Sequence, residues 1–142
     1  MNYAELTDDE LRLEVARRCG YRMYAWKDEA YLTLPSRTGI LPKGYNEVDA
    51  LPAGNTAFFT RAPDYPHDLT AAIALLESTG AEYNFGKRIT GTPKPVYDVI
   101  IWGYYSALGD DYEATADTLP RAACVAWLMW DDARKEAQHD KG

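Results

Sequence analysis

The strongest constraint on the fold is an unbroken apolar run at residues 122–130, which directly follows a helix start signal. Asp117 and Thr118 are both favoured N-cap residues, and Pro120 fits a helix only in its first turn, where no intrahelical donor is lost. The pattern predicts a helix from about Thr118 to Ala137. Because the run is apolar on every side, we expect it to be buried, in part against a second copy of the chain.

Two further helices are predicted from their capping residues. Thr7 and Glu10 have the spacing of a capping box, and apolar residues then recur at helical spacing as far as Gly20. Asp68 is the expected N-cap of the next helix, which ends before Gly80. The apolar face of that second helix consists of Leu69, Ala72, Ile73 and Leu76.

Apolar and aromatic segments between the helices predict a mainly antiparallel sheet. The expected strands lie at residues 21–26, 30–34, 81–85, 96–105 and 112–116, with a short one at 57–60. The 96–105 segment is almost continuously apolar, which is typical of a central strand covered on both faces, whereas 87–95 reads as a loop. The order predicts an α+β fold with three helices, arranged as an α-β-α layered sandwich.

The chain length fits one domain, residues 1–142, with an insertion at about 35–66. The insertion is rich in Pro, Gly, Asn and Thr and is longer than an ordinary connection, so we expect a binding loop or a partner-contacting arm.

Composition excludes several functional classes. A net charge of −7 argues against binding extended nucleic acid, because neutralising many phosphates needs a basic face. The apolar run is shorter than the ~20 residues of a membrane span. Acidic residues near the start of the chain interrupt any export signal, so cytoplasm is the expected location. Cys19 and Cys124 lie in apolar helical patterns and are expected to be buried and reduced.

Residues for catalysis are scarce. The two histidines, His67 and His139, lie at a helix start and in the charged tail, and no serine sits at a nucleophile elbow. No His, Cys and Asp spacing resembles a metal site. We therefore expect no enzyme activity, no metal and no cofactor.

A small anion with a ring is a better candidate ligand. Lys87 and Arg88 follow the aromatic residues Tyr83 and Phe85, and Arg121 lies in the first turn of a helix, where an anion is favoured. Arginine contacts phosphate in a bidentate manner and an aromatic face stacks a base.

The same residues have a structural interpretation. Charged loop residues are commonly solvated, and Arg121 has Asp117 nearby for an ion pair. Both interpretations stay open at the level of sequence.

Three sequence blocks carry a resemblance to a known family: Glu10-Leu11 with Val15-Ala16 leading to Gly20-Tyr21; Tyr65, Asp68 and Ala71-Ala72; and Thr118, Pro120, Ala122-Ala123-Cys124 and Ala126. Through them the chain resembles small phage proteins that carry the phage ABA sandwich domain. The resemblance implies α-β-α layering. Similar proteins include anti-Thoeris sponges, which bind glyco-cyclic ADP-ribose signals, and in some cases cyclic oligonucleotides, without cleaving them.

The leading functional hypothesis is therefore a non-enzymatic phage protein in the host cytoplasm that sequesters a cyclic nucleotide immune signal. Its expected ligand-binding residues are Tyr83, Phe85, Lys87, Arg88 and Arg121. A phage accessory protein that inhibits or docks onto a host protein through the 35–66 insertion is the alternative. An enzyme that degrades the same nucleotide is a third hypothesis.

Overall fold

The structure is a computed structural model that describes residues 2–26, 29–33, 46–47, 57–58, 63–89, 94–103 and 111–140. A short 3₁₀ helix, Tyr3–Glu5, precedes the elements α1 (Asp8–Arg18), β1 (Arg22–Trp26), β2 (Glu29–Thr33), β3 (Asn46–Glu47), β4 (Ala57–Phe58), α2 (Leu69–Ser78), β5 (Tyr83–Arg88), β6 (Val96–Ile101), β7 (Tyr112–Ala116) and α3 (Leu119–Asp140). This content confirms the predicted α+β class, while the α-β-α layering stays a prediction.

All three helices begin where their capping residues predict. Thr7 and Glu10 exchange a reciprocal pair of side-chain bonds with each other's backbone N–H, at 3.1 and 3.2 Å. Asp68 Oδ1 accepts from the N–H of Ala71 at 3.2 Å, and Thr118 Oγ1 accepts from the N–H of Arg121 at 3.4 Å. Each bond satisfies a donor that has no partner inside its helix.

The helix ends are also defined by their backbone bonds. After α1, Gly20 has φ of 94° while its N–H bonds to the carbonyl of Arg17 and that of Tyr21 bonds to Ala16. That pattern is a Schellman motif, in which a left-handed glycine satisfies the last carbonyls. The predicted end of the last helix at Ala137 is too early, since α3 continues to Asp140.

The chain divides into two compact units, and α1 begins in one and ends in the other. The first unit is Met1–Leu11 with Tyr65–Gly142. Its sheet has the antiparallel order β5-β6-β7, so β6 is central, as predicted. The expected burial of both faces is not found among the described residues, because only Val99 and Ile101 of this strand are buried. The strand ends at Ile101, before the predicted 105, because the N–H of Gly103 bonds to Asp111 Oδ1 at 3.2 Å, outside the ladder.

Helix α3 covers one face of this sheet along β6 and β7 and also packs against α2. Val99 and Ile101 on that face have no exposed surface, and residues 122–128 of α3 are all buried. The apolar run is therefore covered within one chain. It no longer argues for a second subunit, although the homo-oligomer itself stays a prediction.

The second unit, Arg12–Asp64, contains a sheet of order β3-β1-β2-β4. The predicted β1–β2 hairpin is confirmed, with Tyr24 opposite Tyr31. The expected strand in the insertion is confirmed at Ala57–Phe58, parallel to β2. Strand β3 is not predicted by the sequence because two residues carry no periodicity. Most of the 35–66 insertion lies outside the described residues, and its role and the one-domain boundary stay predictions.

No helix in the described part of the chain is long and apolar enough to cross a membrane. Neither cysteine forms a disulfide, and Cys124 is buried as expected. The prediction for Cys19 is wrong, because this residue follows the last turn of α1 and its side chain is exposed.

Candidate functional site

Strand β5 carries four of the five predicted binding residues. The prediction of a loop from residue 87 is wrong, because Lys87 and Arg88 pair with Tyr97 and Val96 of β6 and so extend the strand. Side chains alternate between the two faces of a strand. Tyr83, Phe85 and Lys87 therefore share one face, and Arg88 lies on the other.

The face formed by Tyr83, Phe85 and Lys87, the β5 aromatic face, is largely open to solvent. Phe85 is 44% exposed and Lys87 is exposed, whereas Tyr83 is half-buried. Neighbouring side chains on one face of a strand lie about 7 Å apart. Two aromatic rings and an ammonium group thus follow one another in a row, an arrangement suited to a planar ring that carries an anionic group.

Tyr83 is held by helix α2. Its hydroxyl donates to the carboxylate of Glu77 near the end of that helix. The hydrogen bond to Glu77 raises the pKa of Tyr83, because it stabilises the protonated phenol next to a negative charge. The Tyr83 ring is thereby fixed in place and stays neutral at physiological pH.

On the opposite face of the sheet, Arg88 is already engaged. Its guanidinium makes a bidentate contact with Asp98, with Nε to Oδ2 at 2.5 Å and Nη2 to Oδ1 at 2.8 Å, and Thr115 donates to Oδ1 at 2.6 Å. The Arg88 hydrogen bonds, followed by the bond from Thr115, lower the pKa of Asp98 to about 2. The positive charge of Arg88 is compensated locally.

A shallow depression of about 190 Å³ lies beside this network. Ordinary small-molecule pockets measure roughly 300–1,000 Å³, so the depression holds at most one part of a nucleotide. Its lining includes the carboxylates of Asp98 and Glu113, which disfavour an anion. The remaining lining residues are Asn84, Phe85, Gly86 and Ile100.

Arg121 lies away from β5, in the first turn of α3. Its Nη1 contacts Asp8 Oδ1 at 2.6 Å, and its Nη2 donates to the carbonyls of Ala4 and Leu6. The ion-pair partner is thus Asp8, not the expected Asp117, and 16% of the Arg121 side chain is exposed. In this arrangement Arg121 fastens the N-terminal segment to α3.

Two partners of the site were not identified from the sequence. Asp98 is the one charged residue within the apolar strand β6. A charged residue in such a strand needs a partner, so the sequence could have indicated it. Nothing in the sequence pattern indicated Glu77, because its contact with Tyr83 depends on how α2 is placed relative to β5.

Groups that could support other chemistry are held in structural contacts. His67 Nε2 lies 2.9 Å from Asp8 Oδ2, with the histidine side chain 56% exposed. Asp131 is buried, which raises its pKa, but bonds from Arg134 and Lys135 outweigh burial and lower it overall. Across the described residues, no group of three His, Cys, Asp or Glu side chains is placed to hold a metal ion.

Comparison of this chain with protein-family models, with curated proteins and with solved structures found no match. The case for a function therefore comes from the geometry of the β5 aromatic face and from the sequence resemblance alone.

Proposed function

We propose that this chain is a non-enzymatic phage protein that binds and sequesters a cyclic nucleotide immune signal of the glyco-cyclic ADP-ribose or cyclic oligonucleotide type. It would act in the cytoplasm of the infected host, where it lowers the free concentration of the signal. The observation that carries the proposal is the exposed row of Tyr83, Phe85 and Lys87 on one face of β5.

Each residue in the row has a distinct part in the proposed binding. The exposed ring of Phe85 stacks on a base, and the ammonium of Lys87 contacts a phosphate. Tyr83, oriented by Glu77, borders the base on the other side. Arg88 and Arg121 were equal candidates in the sequence, but their bonds to Asp98 and Asp8 make Lys87 the favoured cation.

Sequestration needs affinity and no bond cleavage, so a row of stacking and charged groups is sufficient for it. An intact ligand recovered after denaturing the complex would support binding alone. Product detected by chromatography would instead support the third hypothesis, an enzyme that degrades the same nucleotide.

Isothermal calorimetry against cyclic ADP-ribose isomers and cyclic di- and trinucleotides tests the proposal. We expect micromolar or tighter binding of at least one ligand, and at least about a tenfold loss of affinity in Phe85→Ala and Lys87→Ala. Arg88→Ala is the matched control, since it removes a cation from the next residue but from the opposite face. Absence of heat with every ligand ends the proposal.

Docking onto a host protein through the insertion is the alternative proposal. The observation that favours it is that the insertion adds β3 and β4 to the two sides of the β1–β2 hairpin, which gives the segment between them fixed ends. Replacing residues 48–56 by a Gly-Ser linker keeps both strands. Loss of a host protein from a pull-down with this variant, and not with Phe85→Ala, would support docking.

A further inference from the structure

The outer edge of β5 presents backbone groups for pairing. The N–H of Trp102 donates to the carbonyl of Glu82 at 2.9 Å, so the backbone groups of Glu82 point toward β6. In an antiparallel ladder these groups alternate in direction from one residue to the next. Those of Tyr83, Phe85 and Lys87 therefore point away from β6, and among the described strands β5 pairs with β6 alone.

This edge is accessible along nearly its whole length. Residues 84–88 are all exposed, and a Cβ added at Gly86 would meet no atom within 4 Å. The register with β6 is continuous, without a bulge, and no proline interrupts the strand. Ile89, directly after the strand, is 84% exposed. Such an edge is a template for another strand.

We propose that β5 pairs antiparallel with β5 of a second copy of this chain, around a two-fold axis at Phe85. The pairing joins the two three-stranded sheets into one continuous sheet. A two-fold axis makes the contact isologous, so every favourable pair that lies off the axis occurs twice.

The sequence of β5 is complementary to itself in this register. Glu82 lies opposite the partner's Arg88, whose guanidinium it would share with Asp98. Tyr83 lies opposite the partner's Lys87, which places a cation beside an aromatic ring. Phe85 lies opposite its own copy. Sliding the register by two residues in either direction removes the Glu82–Arg88 pairs, so charge selects one alignment.

In the single chain, the side chain of Asn84 already bonds to one of the backbone groups at this edge. Asn84 Oδ1 accepts from the N–H of Phe85 at 2.8 Å. Pairing transfers that donor to the carbonyl of the partner's Phe85 and releases the Asn84 amide to solvent. The dimer goes beyond the proposed ligand binding and does not depend on it, since backbone hydrogen bonds between the two strands form without a bound nucleotide.

Disulfide trapping tests the register. Paired residues that exchange backbone bonds have Cα atoms about 5.5 Å apart, within the roughly 4.4–6.8 Å that a disulfide spans. Cys19 is exposed, so the variants are made in a Cys19→Ser background. We expect Phe85→Cys to form a covalent dimer on mild oxidation.

Lys87→Cys is the matched control, because the two copies of residue 87 would lie roughly 13 Å apart along the strands. It should form no covalent dimer, whereas Tyr83→Cys combined with Lys87→Cys should cross-link. Light scattering on the native protein should give twice the 16.0 kDa chain mass. Equal cross-linking of Phe85→Cys and Lys87→Cys overturns the proposal, and so does the absence of cross-linking in a folded Phe85→Cys protein. Neither outcome depends on whether the protein binds a nucleotide.

Discussion

Two neighbouring strands of one sheet differ in what they contribute. Val99 and Ile101 of β6 lie under α3 without exposed surface, while Phe85, paired directly with Val99, is 44% exposed on the next strand. The helix covers β6 and β7, and the coverage stops before the outer strand. The difference teaches that strand sequence alone does not separate a core residue from a surface residue. The position of the covering helix does.

The largest expected effect is a loss of stability from a substitution in α3, the helix that covers β6. Leu128 of α3 is fully buried, and Leu128→Ala removes apolar contacts and leaves a cavity, so we expect a loss of about 3 kcal/mol in the free energy of unfolding. Urea denaturation followed by circular dichroism measures it. Phe85→Ala is the control on the uncovered strand and should cost less than about 1 kcal/mol. Equal losses in the two variants would remove the distinction between the strands.

A smaller effect is expected at the start of α2, which packs on α3. Asp68 caps the N–H of Ala71, and Asp68→Ala should lower the unfolding free energy by about 1 kcal/mol. Asp68→Asn keeps the acceptor and should retain most of the stability. The same urea titration compares the two variants, and an Asn variant as weak as the Ala variant would contradict capping.

The smallest expected effect concerns the face of the sheet that carries Arg88 and Asp98. The folded pKa of Asp98 is about 2, below the ordinary 3.8, so its contribution to stability is full above about pH 4 and is lost as pH falls through 2. Carbon-13 NMR titration should show the low midpoint in the native protein. In Arg88→Ala the midpoint should rise toward 3.8 but stay below it, since the Thr115 bond persists. An unchanged midpoint would show that Arg88 is not the cause.

Much of the fold was predictable from local chemistry. Capping residues and glycines define helix starts and turns through bonds within a few residues, and those signals at Thr7, Asp68 and Thr118 are confirmed. The central position of β6 follows from its apolar content. The extension of β5 to Arg88 was not predictable, because it depends on pairing with a strand that follows a loop.

The candidate site was predictable only in part. Residue type and spacing indicated Tyr83, Phe85 and Lys87, which the strand places on one face. The partners of Arg88 and Arg121 could not be read from the sequence, because Asp98 and Asp8 are brought to them by the sheet and by the N-terminal segment.

The central claim is that the uncovered face of β5 serves recognition. Calorimetry on Phe85→Ala with the nucleotide that the native protein binds tests it most directly, with urea denaturation on the same sample. We predict at least about a tenfold loss of affinity in a variant whose stability stays within about 1 kcal/mol of the native value. Unchanged affinity in a folded Phe85→Ala protein would contradict it.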